Sequence, residues 1–136
     1  EITRGEGGGL LILVHHSVQF RKLCAVLPND DIAETLGVAA NLGEGELTFV
    51  NVYIPPASSC PQGYTTDFDA ILEDRGDCVV MGDFNAHHPS WFSRTEDDKA
   101  AARGTALDAA INSTQLGLLN EDSPTGVPPN GPASSI

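Results

Sequence analysis

The chain has 136 residues, 40% of them hydrophobic and 19% charged, and a net charge of −12 at neutral pH. That is enough chain for one domain with a real core and not for two, in a composition that argues against disorder. No apolar run is long enough to span a bilayer and no basic-then-apolar leader is present, so neither a membrane span nor secretion is expected.

Phosphate-backbone binding usually rests on Lys and Arg. The seven basic residues, Arg4, Arg21, Lys22, Arg75, Arg94, Lys99 and Arg103, are scattered. Composition alone therefore argues against a nucleic-acid partner, unless a divalent cation, backbone donors or further segments supply the contacts. Cys24, Cys60 and Cys78 form no Cys-x-x-Cys pair and no ligand spacing with histidine, and they read as reduced thiols of an intracellular protein. The chain starts at Glu1 and stops at Ile136 in what looks like a new element, and its single Met is Met81. A piece of a longer protein is the expectation.

In chain order, Leu10-Leu11-Ile12-Leu13-Val14 is a continuous apolar run of the kind a two-sided buried strand uses. His15 and His16 follow and would point to opposite faces of that strand, which does not suit shared metal ligation. Val18, Phe20 and Leu23 alternate with polar residues, predicting a half-buried strand through about Val26, and Pro28-Asn29-Asp30-Asp31 reads as a turn. Ile32–Asn41 and Leu47–Ile54 read as strands joined through Gly43-Glu44-Gly45-Glu46, a hairpin signal. Pro55-Pro56 must end the second of these, because proline cannot donate to the ladder.

Thr66-Asp67 can cap a helix over about Phe68–Asp74, and Arg75-Gly76-Asp77 delivers the chain into the short apolar strand Cys78–Met81. A helix is predicted from about Ala100 to Ser113, apolar at Ala102, Leu107, Ala110 and Ile111, with Gly104 weakening its first turn. Gln115–Asn120 reads as a short strand and the Pro- and Gly-rich remainder as loop.

The chemistry concentrates after Cys78. Gly82 lets another backbone or a ligand approach closely, and Asp83 and Asn85 then leave the strand end together if the chain stays extended. A carboxylate can take a proton or hold a cation, and a carboxamide offers donors without charge. Together they suit an anionic reaction centre such as a phosphodiester. Asp-x-Asn is equally ordinary turn chemistry, since both side chains bond their own backbone readily.

The longer string Gly82-Asp83-Phe84-Asn85-Ala86-His87-His88-Pro89-Ser90-Trp91 resembles the signature of the endonuclease/exonuclease/phosphatase superfamily, and within it the endonuclease domains of non-LTR retrotransposons. Upstream, Phe49-Val50-Asn51-Val52-Tyr53-Ile54-Pro55-Pro56 is similar to the family's strand ending in Tyr-x-Pro. The resemblance implies an α/β fold, a sandwich of two mixed β-sheets flanked by helices. Residues 1–136 would form part of one such domain, incomplete at both ends.

It further implies that Asp83 orients or deprotonates the attacking water and that Asn85 and Tyr53 hold the scissile phosphate. His87 is a further candidate for substrate contact at the groove edge. The implied reaction is Mg²⁺-dependent phosphodiester hydrolysis, nicking nuclear target DNA to prime reverse transcription, with a reverse transcriptase in the same polyprotein. The family's metal-holding glutamate and its later Asp-His pair are not found in the chain, and neither His87 nor His88 is expected to stand in for that histidine. A phosphatase of the same superfamily and a degenerate, non-catalytic domain are the alternatives, with a two-metal phosphoesterase behind them.

Three structural expectations follow. Tyr53, Asp83 and Asn85 should converge at one end of adjacent strands, in one open cleft. Leu11, Leu13, Val50, Val52, Val79, Val80 and Phe84 should be buried, with His87 and Trp91 nearer the surface. A Val79–Val80 strand at an exposed edge would count against the sandwich.

Overall fold

The computed structural model describes residues 9–122. Four strands, β1 (Gln19–Lys22), β2 (Glu34–Asn41), β3 (Glu46–Tyr53) and β4 (Cys78–Asp83), form one mixed sheet in the order β1-β2-β3-β4. β1 and β2 pair antiparallel, as do β2 and β3, and β4 runs parallel to β3. The β2–β3 connection is the predicted hairpin, with Gly43 and Gly45 both at positive φ. A parallel neighbour requires a crossover. Here it contains a 3₁₀ turn (Ala57–Ser59) and the one-turn helix α1 (Phe68–Ile71), capped by Asp67 through its carboxylate and the Ala70 N–H. The second helix, α2 (Asp98–Asn112), is capped by Asp97, which accepts from the Lys99 and Ala100 N–H groups.

β3 alternates as its sequence demands, with Val50 and Val52, and Ile54 just beyond the strand, wholly buried. They meet Phe68, Ile71 and Leu72 around α1, and Leu107 of α2. Each such aliphatic side chain is worth about 1.5–3 kcal/mol of burial, so this layer between sheet and helices carries the fold.

The expected α/β class holds, and several local expectations do not. Leu10–Val14 joins no strand, and Leu11 and Leu13 are 69% and 84% exposed. β3 already has β2 and β4 as neighbours, so the run cannot enter the sheet centre. It lies instead beside Asn51, whose side-chain amide donates to the Leu11 carbonyl at 3.4 Å. The strand expected over Val18–Val26 shrinks to Gln19–Lys22, exposed throughout at the sheet's edge.

β4 occupies the opposite edge, so Val79, Val80 and Phe84 are half-buried rather than enclosed. The described residues hold one mixed sheet with helices packed on it, an α/β fragment consistent with the incomplete sandwich that the resemblance implies. Gln115–Asn120 forms no strand; it follows the groove beside β4. α1 stops at Ile71, short of the expected Asp74, and Ala102 faces solvent. The buried stripe of α2 is Ala100, Gly104 and Leu107.

Candidate active site

Parallel strands that end level bring their carboxyl ends together, the place where open α/β sheets hold ligands. In the β3–β4 register Tyr53 sits opposite Asp83 and Val52 opposite Gly82. Residues directly opposite share a face, so Tyr53 and Asp83 lie on the side of the sheet away from Val50 and Val80. One further ladder bond, from the Ile54 N–H to the Asp83 carbonyl at 2.9 Å, closes the pair.

Gly82 is required at its position. Its φ is +143°, and a Cβ there would fall 1.9 Å from the Val52 carbonyl oxygen. The close approach anticipated for this glycine is therefore that of a neighbouring backbone.

Asp83 and Asn85 stay together, but not because the chain remains extended. The strand ends at Asp83 and Asn85 takes a left-handed conformation, φ +44°. One Asp83 carboxylate oxygen accepts the Asn85 backbone N–H at 3.0 Å, forming an Asx-type turn. The Asn85 side-chain amide donates back across the strand pair to the Ile54 carbonyl at 2.8 Å. Turn chemistry and site geometry thus use the same atoms. Asp83 remains exposed, and one amide hydrogen of Asn85 is left over. Tyr53 is half-buried, with no side-chain hydrogen bond among the described residues.

Asp83 and Asn85 open onto a groove of about 710 Å³ along β4, the last strand of the sheet among the described residues, lined also by Leu72, Trp91, Leu107 and Leu116. The single cleft expected for the three is not found: Tyr53 stands outside that groove, on the neighbouring strand, because it lies one strand in from the edge that opens it.

The loop after Asn85 folds inward. His87 is half-buried and its Nδ1 pairs with the hydroxyl of Ser93, itself fully buried, at 2.7 Å. Only Nε2 of His87 is left for a ligand. Trp91, expected near the surface, is 6% exposed. A 3₁₀ turn over Pro89–Trp91 carries it back into the core, where its indole N–H donates to the Ala86 carbonyl at 3.2 Å. A side chain of that size gains more from burial than from covering a rim.

Two residues of this neighbourhood were missed in the sequence, Ser93 and Arg103. From α2, Arg103 Nη1 reaches the carbonyls of Pro55 (2.8 Å), Phe84 (3.3 Å) and Asn85 (3.3 Å). Nη2 lies 3.4 Å from the Cys60 sulfur. The signal for Arg103 lay beside it. A Cβ on Gly104 would fall 1.9 Å from the His87 carbonyl oxygen, so the glycine read as a weak first turn is a contact point between α2 and the loop.

Mg²⁺ takes oxygen ligands in near-octahedral geometry, commonly one or two carboxylates with water and substrate phosphate. Among the described residues no three His, Cys, Asp or Glu side chains gather where one ion could be held. The Asp83 carboxylate is already partly engaged by Asn85. This donor set does not make a magnesium site by itself. No helix among the described residues is long and apolar enough to cross a membrane.

Residues 47–136 match the family model described as endonuclease-reverse transcriptase. No curated protein and no solved structure matches the chain.

Proposed function

From a chain that belongs to the endonuclease-reverse transcriptase family, we infer a phosphodiesterase role: this is cleavage-domain sequence of a retroelement protein that nicks target DNA and so exposes a primer for reverse transcription. The proposed substrate is chromosomal DNA and the proposed place of action the nucleus. The observation that carries the reading is the pairing of Tyr53 with Asp83 at the ends of parallel strands, with Asn85 tied across to Ile54.

In this reading Asp83 orients the attacking water and takes its proton, using the carboxylate oxygen that Asn85 leaves free. The spare amide hydrogen of Asn85 and the Tyr53 hydroxyl donate to non-bridging phosphate oxygens, where charge builds up in the transition state. The reaction is proposed to need Mg²⁺, with its carboxylate ligands assigned outside the described residues.

A second reading, a non-cleaving domain, is favoured by one observation: Asp83 spends a carboxylate oxygen on the turn it starts. Nicking of supercoiled plasmid by the full-length protein in Mg²⁺ separates the two. Asp83→Asn is expected to slow nicking by about 10²–10⁴-fold, the usual contribution of a positioned base. Undiminished nicking by Asp83→Asn would exclude the catalytic assignment, and a wild-type protein that binds DNA without nicking it would favour the second reading.

A further inference from the structure

The β3–β4 ladder cannot continue past Ile54, because Pro55 and Pro56 have no N–H to offer. The carbonyls of Pro55, Phe84 and Asn85 lie just beyond that break, on the two chain segments that carry Tyr53 and the Asp83–Asn85 turn. One guanidinium nitrogen, Arg103 Nη1, reaches all three, at 2.8, 3.3 and 3.3 Å, its two hydrogens shared among them. Its second nitrogen meets the Cys60 sulfur, and the Cys60 thiol in turn points to the carbonyls of Pro55 and Pro56 at 3.6 and 3.5 Å.

We propose that Arg103 is a positioning residue that clamps the two strand ends beyond their last ladder bond and so sets the spacing between Tyr53 and the Asp83–Asn85 pair. The planar guanidinium holds Nη1 among the three carbonyls while Nη2 reaches the Cys60 sulfur, fixing the group at two points; an ammonium of the same charge is a point donor on a flexible stem and cannot occupy both places at once.

The clamp is held in place by its own helix. Gly104 brings α2 against the His87 backbone, and the His87 N–H donates to the Ala100 carbonyl at 3.3 Å. Arg103 therefore leaves a helix already fixed to the loop it braces. Its role for cleavage rests on the phosphodiesterase reading above; the clamp itself does not.

Both parts are testable in the full-length protein with Arg103→Lys and Arg103→Ala. Arg103→Lys is expected to lower kcat for plasmid nicking by about 10–100-fold, the cost of misplacing groups by about an ångström, with KM within about twofold of wild type. Millimolar guanidinium should restore part of kcat to Arg103→Ala and none to Asp83→Asn. Amide hydrogen exchange reads the clamp without any activity: in Arg103→Lys, segments 54–60 and 84–88 should lose protection together while β2 and β3 keep theirs. Unchanged exchange in those segments overturns the clamp, whether or not the protein cleaves DNA. A normal kcat in Arg103→Lys, in a protein that Asp83→Asn inactivates, overturns its part in positioning while leaving the phosphodiesterase reading intact.

Discussion

At the scale of single residues, the same atoms of Asp83 and Asn85 serve turn and site. The Asx-type bond fixes Asn85 at φ +44°, and that conformation aims its amide at the Ile54 carbonyl instead of along the strand. Asparagine tolerates the left-handed region better than most residues, which is a backbone reason for this residue type at this position. Gly82 is constrained more tightly still. Its positive φ and the Val52 carbonyl in the path of any Cβ act together, so Gly82→Ala must both strain the backbone and push β4 from β3. The expected cost is about 1–3 kcal/mol, typical of overpacking a close contact. Urea unfolding of the variant checks it, and an unchanged midpoint would mean that the β3–β4 approach is looser than described.

Among the elements, α2 does the most for the site. Its buried stripe covers Leu107 and Gly104, and from one turn it supplies both the Gly104 contact and the Arg103 clamp. Asp97 satisfies two otherwise orphan N–H groups at the start of the helix, those of Lys99 and Ala100. Asp97→Ala should therefore cost about 0.5–2 kcal/mol. Exchange of the first-turn amides should rise with it, while an Asp97→Asn variant keeps most of the stability. Loss of stability in Asp97→Ala without faster exchange at the helix start would assign the cost elsewhere. β4 is the other decisive element. Its apolar run reads as an enclosed strand, but its place at the sheet edge leaves Val79 and Val80 half-buried and opens the groove onto which Asp83 and Asn85 look.

For the whole molecule, charge and donor set point the same way. A net charge of −12 weakens attraction to a phosphate backbone. The described residues gather no cluster of carboxylates beside Asp83. Residues 1–136 expressed alone are therefore expected to show no measurable Mg²⁺-dependent plasmid nicking, even though Tyr53 and Asp83 end adjacent strands and Asn85 follows in the turn. Catalytic groups of this kind act as a unit, and a part of the set retains little of the rate. Robust nicking by the short chain, lost in Asp83→Asn, would place a metal ligand within it.

The sequence alone determined the family, the α/β class, the β2–β3 hairpin, the Asp67 cap and the placing of Tyr53 and Asp83 at strand ends. Each of these is written locally, in a motif, a turn residue or a strand's alternation. Only the tertiary structure decided which apolar runs are covered, because cover depends on neighbours: Leu11 and Leu13 stay exposed where β3 is paired on both sides, and Trp91 turns inward to join the core cluster. It alone decided the role of Arg103 as well. Its three carbonyl partners lie 18, 19 and 48 residues away, and no local pattern brings them together.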